Sequence, residues 1–110
     1  MPIRRANLFD NENIAPSTEV IQTLLTTGGF RLERVVSNGS ATPKDEWYDQ
    51  GRAEWVILLK GRARLRFKNP DMEVELFPGD HMDIPAHQLH RVEWTHPDEQ
   101  SVWLALHYSQ

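Results

Sequence analysis

The sequence predicts an all-β domain, a barrel or sandwich of short strands. Three observations carry that expectation. The chain has 110 residues, the length of one domain. From Phe30 onward, apolar and polar residues alternate with a period of two, as in strands with one buried face. Turn formers separate these stretches at intervals of roughly eight to twelve residues, the spacing of all-β folds.

Residues 1–16 are polar, carry Asn11, Asn13 and Pro16, and read as an irregular arm. A short helix is expected over 18–27. The Ser17 hydroxyl is placed to accept from its first free amides, and Glu19 falls in the first turn, where negative charge is favoured. Val20, Ile21, Leu24 and Leu25 share one face at helical spacing, and Gly28-Gly29 provides a stop. Residues 1–29 are thus expected to pack as arm and helix on a barrel formed by 30–110, the whole being one domain.

Phe30, Leu32 and Val35 belong to a first strand over 30–37, and the turn-rich loop SNGSATPKDE follows. Glu54 to Leu59 is apolar on both faces, as in a strand covered on both sides. Ala63, Leu65 and Phe67 alternate with Arg62, Arg64 and Arg66. Beyond the turn Asn69-Pro70-Asp71, Met72, Val74 and Leu76 alternate with Glu73 and Glu75. Cross-strand ion pairing on a wet face explains these arginines and glutamates. Pro78-Gly79-Asp80 leads into a short strand with Met82 and Ile84, which sends His81 and Asp83 outward. His90, Val92 and Trp94 share one parity and are expected to face the interior. Thr95 to Asp98, with His96, forms a turn, and Val102 to Tyr108 is the last strand.

Composition removes several function classes. There is no cysteine, which excludes disulfides, thiolate metal sites and cysteine nucleophiles. A metal would be held by His, Asp or Glu, which favours zinc, iron, manganese or nickel. Lys and Arg number 12 against 16 Asp and Glu, for a net charge of -4. No basic stripe forms, so neither nucleic acid nor an anionic membrane is an expected partner. The opening MPIRRANLFDNEN lacks the apolar stretch of a signal peptide. No apolar run approaches the roughly 20 residues that span a bilayer. The cytoplasm is the expected location.

Two stretches resemble the paired motifs of the cupin superfamily. The second motif runs glycine, five residues, proline, one residue, glycine, two residues, histidine. Gly79, Pro85 and His90 stand in that register, with His87 in place of the second glycine and Trp94 where asparagine is frequent. The first motif ends in a glutamate, six residues and a glycine, matched by Glu54, Trp55 to Lys60, and Gly61. Two histidines one residue apart precede that glutamate in the family. Here the stretch reads Trp47-Tyr48-Asp49-Gln50, so Asp49 stands in for the second histidine and Trp47 replaces the first without being able to ligate.

The resemblance covers about residues 30 to 109. It implies a jelly-roll barrel, the double-stranded β-helix, with a divalent ion held inside by the two histidines and glutamate of the first motif and the histidine of the second. Carried over by position, Glu54 and His90 match and Asp49 is a chemically reasonable replacement. His87, three residues before His90, is a further candidate ligand, although on a turn it can also face solvent. Trp47 and Tyr48 are candidate pocket-lining residues, offering stacking surface and a hydroxyl. The competing readings are plain ones. His90 is a hydrogen-bonded core residue, Glu54 pairs with Arg52 or Arg91 at the strand mouth, and His107 reaches either the pocket or an interface.

Three functions follow as expectations: a metal-assisted enzyme on a small oxygen-rich substrate, a metal-free pocket in which His90 and Glu54 do acid–base work, and a non-catalytic binder or sensor. A small molecule is the expected partner in each. A homodimer is also expected, because alternation sends Trp55, Ile57 and Leu59 outward together, and large apolar rows rarely face water.

Overall fold

Inward-facing apolar residues from two antiparallel sheets meet to form the core. The computed structural model describes residues 3–10 and 13–109, so Asn11 of the expected arm and residue 110 of the expected barrel lie outside the described residues. The strands are β1 (Thr18–Thr26), β2 (Phe30–Asn38), β3 (Ala53–Lys60), β4 (Ala63–Phe67), β5 (Met72–Leu76), β6 (His81–Ile84), β7 (His90–Thr95) and β8 (Ser101–Tyr108). One sheet runs β1-β2-β8-β3-β6 and the other β5-β4-β7. Val56 and Leu58 of β3 and Trp103 of β8 pack against Leu65 and Phe67 of β4, Leu76 and Ile84. Interdigitation of two inner faces is the usual way a double sheet excludes water.

No helix forms among the described residues, which corrects the expectation over 18–27. That segment is β1, an edge strand paired with β2 from Thr18↔Asn38 to Thr26↔Arg31. Thr18, Val20, Ile21, Thr23 and Thr26 are β-branched, which favours a strand. A helix of that length is marginal by itself, whereas β2 offers β1 a ladder of main-chain partners. Gly28 and Gly29 sit in the hairpin connection, where the Thr27 amide donates to the Phe30 carbonyl at 2.9 Å. The residues that suggested a helix stop therefore turn a hairpin. Ser17 takes a positive φ of 64° and its amide donates to the Asn38 carbonyl at 2.7 Å. The arm lies along the outer side of β2, where the buried Arg34 donates from Nε to the Leu8 carbonyl at 2.9 Å.

A second correction concerns Trp94. The β4–β7 register is Phe67↔His90 and Leu65↔Val92, then shifts to Arg64↔Trp94 and Ala63↔Thr95. The extra residue is Glu93, and a bulge of this kind reverses the parity beyond it. Thr95 therefore turns into the core, 2% exposed. Trp94 is half-buried on the outer side, with the Arg64 guanidinium 4.6 Å above its ring. The arginine row pairs largely as expected, with Arg62–Glu75 at 2.9 Å and Arg66–Glu73 at 3.6 Å.

Gly61, which closes the first motif, is required by space. Its φ is +90°, and a Cβ there would stand 2.3 Å from Ser101 Oγ and 2.6 Å from Ser101 Cα. On the outer face of β3, Trp55, Ile57 and Leu59 are half-buried, and Trp55 packs against the His81 ring at 5.3 Å. Among the described residues no helix is long and apolar enough to cross a membrane.

Candidate functional site

Alternation decides which side chains the five-stranded sheet sends between the layers. Glu54 is the cross-strand partner of His107 and of Ile84, and Glu33 is the partner of Ala105. Directly paired residues share a face. Glu33, Glu54 and His107 therefore point inward together, with Glu19 and Ile21 of β1 beside them. From the opposite sheet β7 contributes His90 and Val92. These residues, with Tyr48, Gln50, Val35, Val56, Leu65, Ile84, Trp103 and Ala105, line a cavity of ≈ 140 Å³.

Two histidine–carboxylate pairs stand in its wall. His90 Nε2 lies 3.3 Å from Glu54 Oε1, with both side chains largely buried. His90 Nδ1 lies 2.8 Å from the Gln88 carbonyl oxygen. A carbonyl only accepts, so Nδ1 carries a hydrogen, and the proton between Nε2 and Glu54 is the one that can move. Burial disfavours the charged ring. The hydrogen bond to Glu54, the Gln88 carbonyl and the Glu54 charge outweigh it and leave the His90 pKa raised. In the second pair His107 Nε2 lies 2.9 Å from Glu33 Oε1, whose other oxygen accepts from Arg31 Nε at 3.0 Å. At the cavity edge the Glu19 carboxyl has its pKa raised, first by desolvation and then by the Glu33 and Glu54 charges, against the lowering effect of Ser37.

The structure divides the residues predicted from sequence. Glu54, His90 and Tyr48 line the cavity. Tyr48 is held there by backbone pairing, its amide donating to the His90 carbonyl at 2.8 Å. Trp47 and Asp49 do not line it. With Tyr48 and Gln50 turned inward, their sequence neighbours turn outward. Trp47 lies beneath Lys68 Nζ, 5.5 Å from the ring. Asp49 Oδ1 instead lies 2.8 Å from His87 Nδ1, with the two side chains 57% and 71% exposed. Neither Arg52 nor Arg91 takes Glu54. Arg91 Nε pairs with Glu93 at 2.9 Å, and its guanidinium also reaches the carbonyls of Thr42, Pro43 and Glu46.

Sequence reasoning missed Glu33, Glu19, Gln50 and Trp103, and left His107 undecided. The parity of Glu33 with Val35 was the available signal. For Glu19 there was none once the segment read as a helix.

The whole chain has a relative of similar shape. A protein from Ralstonia eutropha JMP134, provisionally assigned as a mannose-6-phosphate isomerase, superposes with a TM-score of 0.92 at 37% identity, over 98% of this chain and 100% of that one. A cupin superfamily protein from Desulfitobacterium hafniense DCB-2 superposes with a TM-score of 0.74 at 16% identity, over 99% and 94%. The chain has the cupin fold. Hydroxypropylphosphonic acid epoxidase from S. wedmorenis shares the fold, with a TM-score of 0.69 at 18% identity over 82% of this cupin and 50% of that enzyme. Another neighbour is solved as FeII HppE. No family model matches the chain, and no curated protein does.

The resemblance implies a divalent ion held inside the barrel. The four candidate ligands come apart into two pairs, His90 with Glu54 in the cavity and His87 with Asp49 outside it. Among the described residues no three His, Asp or Glu side chains stand together in a way that could hold a metal ion. The four candidate ligands therefore do not come together as one site for zinc, iron, manganese or nickel.

Proposed function

We propose that this cupin binds a small molecule in its barrel cavity and that His90 and Glu54 hold and transfer a proton at the bound ligand. The observation that carries this reading is the orientation of His90. The Gln88 carbonyl fixes Nδ1 as a donor, so Nε2 and Glu54 Oε1 share one titratable proton at the cavity wall. A histidine poised by a carboxylate is the ordinary equipment of general acid–base work. Perturbed titration of a group lining a concave pocket supports the assignment. Whether the proton transfer completes a reaction or only fixes the ligand, the same two residues are required.

The Ralstonia relative supports an oxygen-rich ligand class through its provisional assignment to a sugar phosphate isomerase. A thermal-shift screen of small polyols, hydroxy acids and sugars, run on wild type, His90→Phe and Glu54→Gln, tests the reading. Compounds that stabilise wild type are expected to lose their effect in both variants. Compounds that stabilise all three proteins equally would place the binding elsewhere and refute it.

A further inference from the structure

The cavity wall carries carboxylates and imidazoles but, among the described residues, neither lysine nor arginine. A phosphate or carboxylate group entering it would meet Glu19, Glu33 and Glu54 and find no lysine or arginine among the lining residues to bind it. Like-charge juxtaposition in a partly desolvated site strongly disfavours binding. A cationic ligand is not called for either. Glu54 is engaged by His90 and Glu33 by both His107 and Arg31, so these carboxylates already have partners. The polar atoms left over are of a different kind. Trp103 is 4% exposed, and its indole Nε1 has no hydrogen-bond partner; nor has Gln50 Oε1. One is a donor and one an acceptor, and both residues line the cavity. A buried donor and acceptor without partners are an uncommon feature that a ligand hydroxyl would satisfy. The remaining wall is largely apolar, including Val35, Val56 and Ile84.

We infer that the cavity selects a compact, uncharged, hydroxyl-bearing ligand and rejects phosphorylated and carboxylated ones. The inference rests on the cavity being a ligand site, as proposed above, and adds what the site discriminates. It separates this cupin from the phosphorylated substrate that the name of its Ralstonia relative carries. The cavity is small, ≈ 140 Å³, which favours a compact ligand.

The test uses matched probes: glycerol with glycerol 3-phosphate, and mannose with mannose 6-phosphate. The readout is the Trp103 indole ¹H–¹⁵N resonance of the full-length protein, assigned by Trp103→Phe. Both neutral probes are expected to move it in a saturable way, and each phosphorylated probe to bind at least about tenfold more weakly, a difference of about 1.4 kcal/mol. Ile21→Arg places a cation at the cavity mouth, where Ile21 is 57% exposed and tolerates charge. It is expected to raise affinity for the phosphorylated probes relative to the neutral ones. Equal or tighter binding of the phosphorylated probes by wild type would overturn the inference and leave the ligand site standing. No response of any cavity resonance to the four probes would overturn both.

Discussion

Glu54→Gln keeps shape and hydrogen-bonding capacity and removes one charge, so it isolates what the carboxylate does for His90. The contact of 3.3 Å is longer than the ~2.7–2.9 Å of a strong charge-assisted pair. It therefore belongs near the lower end of the about 1.5–3 kcal/mol assigned to hydrogen bonds with charged partners. The amide oxygen of Gln still accepts from Nε2–H and retains about 0.5–1 kcal/mol of a neutral bond. The net loss at pH 5.5 is about 1 kcal/mol, which for a domain of this size lowers the Tm by about 4 °C. The pH dependence is more telling. The folded pKa of His90 is raised above its unfolded value of about 6.5. Its contribution to stability is therefore fully present below about pH 6.5 and is lost as pH rises through the folded value. At pH 9 the ring is neutral with its hydrogen on Nδ1, and the Nε2 lone pair faces a carboxylate, which Gln replaces with an amide able to donate. The variant is then expected to match or exceed wild type. Urea denaturation at pH 5.5 and pH 9 measures both. Equal destabilisation at the two pH values, or none at pH 5.5, would refute the shared-proton assignment.

Gly61→Ala is expected to destabilise by more than about 2 kcal/mol, because a Cβ there collides with Ser101 in a left-handed conformation; a denaturation midpoint close to wild type would contradict this. Asp49→Ala and His87→Ala are expected to change stability by less than about 1 kcal/mol, as exposed ion pairs do. Elemental analysis of untagged protein should find their metal content equal to that of wild type, and loss of metal from either variant would restore them as ligands. We also propose a homodimer through the outer face of β3, where Trp55, Ile57 and Leu59 are half-buried. Light scattering at low micromolar concentration should give twice the chain mass, and Ile57→Asp should reduce it. A wild-type mass of one chain would exclude the dimer.

Strand positions were legible from Phe30 onward because a period of two leaves little choice about which residues are buried. That same parity brings Glu54 and His90 to one cavity. It failed at Trp94, where one extra residue in β7 reverses the faces and no local pattern marks a bulge. It failed again at residues 18–26. There the apolar residues keep helical spacing, and the deciding term is the ladder offered by β2, a tertiary contact. The loop before β3 misled for a simpler reason. The resemblance puts Asp49 at a ligand position, but Tyr48 pairs with His90 through the backbone and turns Asp49 outward. Glu33 and His107 meet across β2 and β8, strands far apart in sequence, so their pairing was visible only once the sheet order was known.

The proposed function depends most on His90 sharing a titratable proton with Glu54 at the cavity wall. Two-bond ¹H–¹⁵N correlation of the histidine rings, followed from pH 5 to pH 10, observes that proton directly. His90 Nδ1 is expected to stay protonated throughout. Nε2 is expected to lose its proton with a midpoint above the ordinary value of about 6.5, and that midpoint should fall in Glu54→Gln. A midpoint at or below the ordinary value that ignores Glu54→Gln, or a neutral ring carrying its hydrogen on Nε2, would contradict the account.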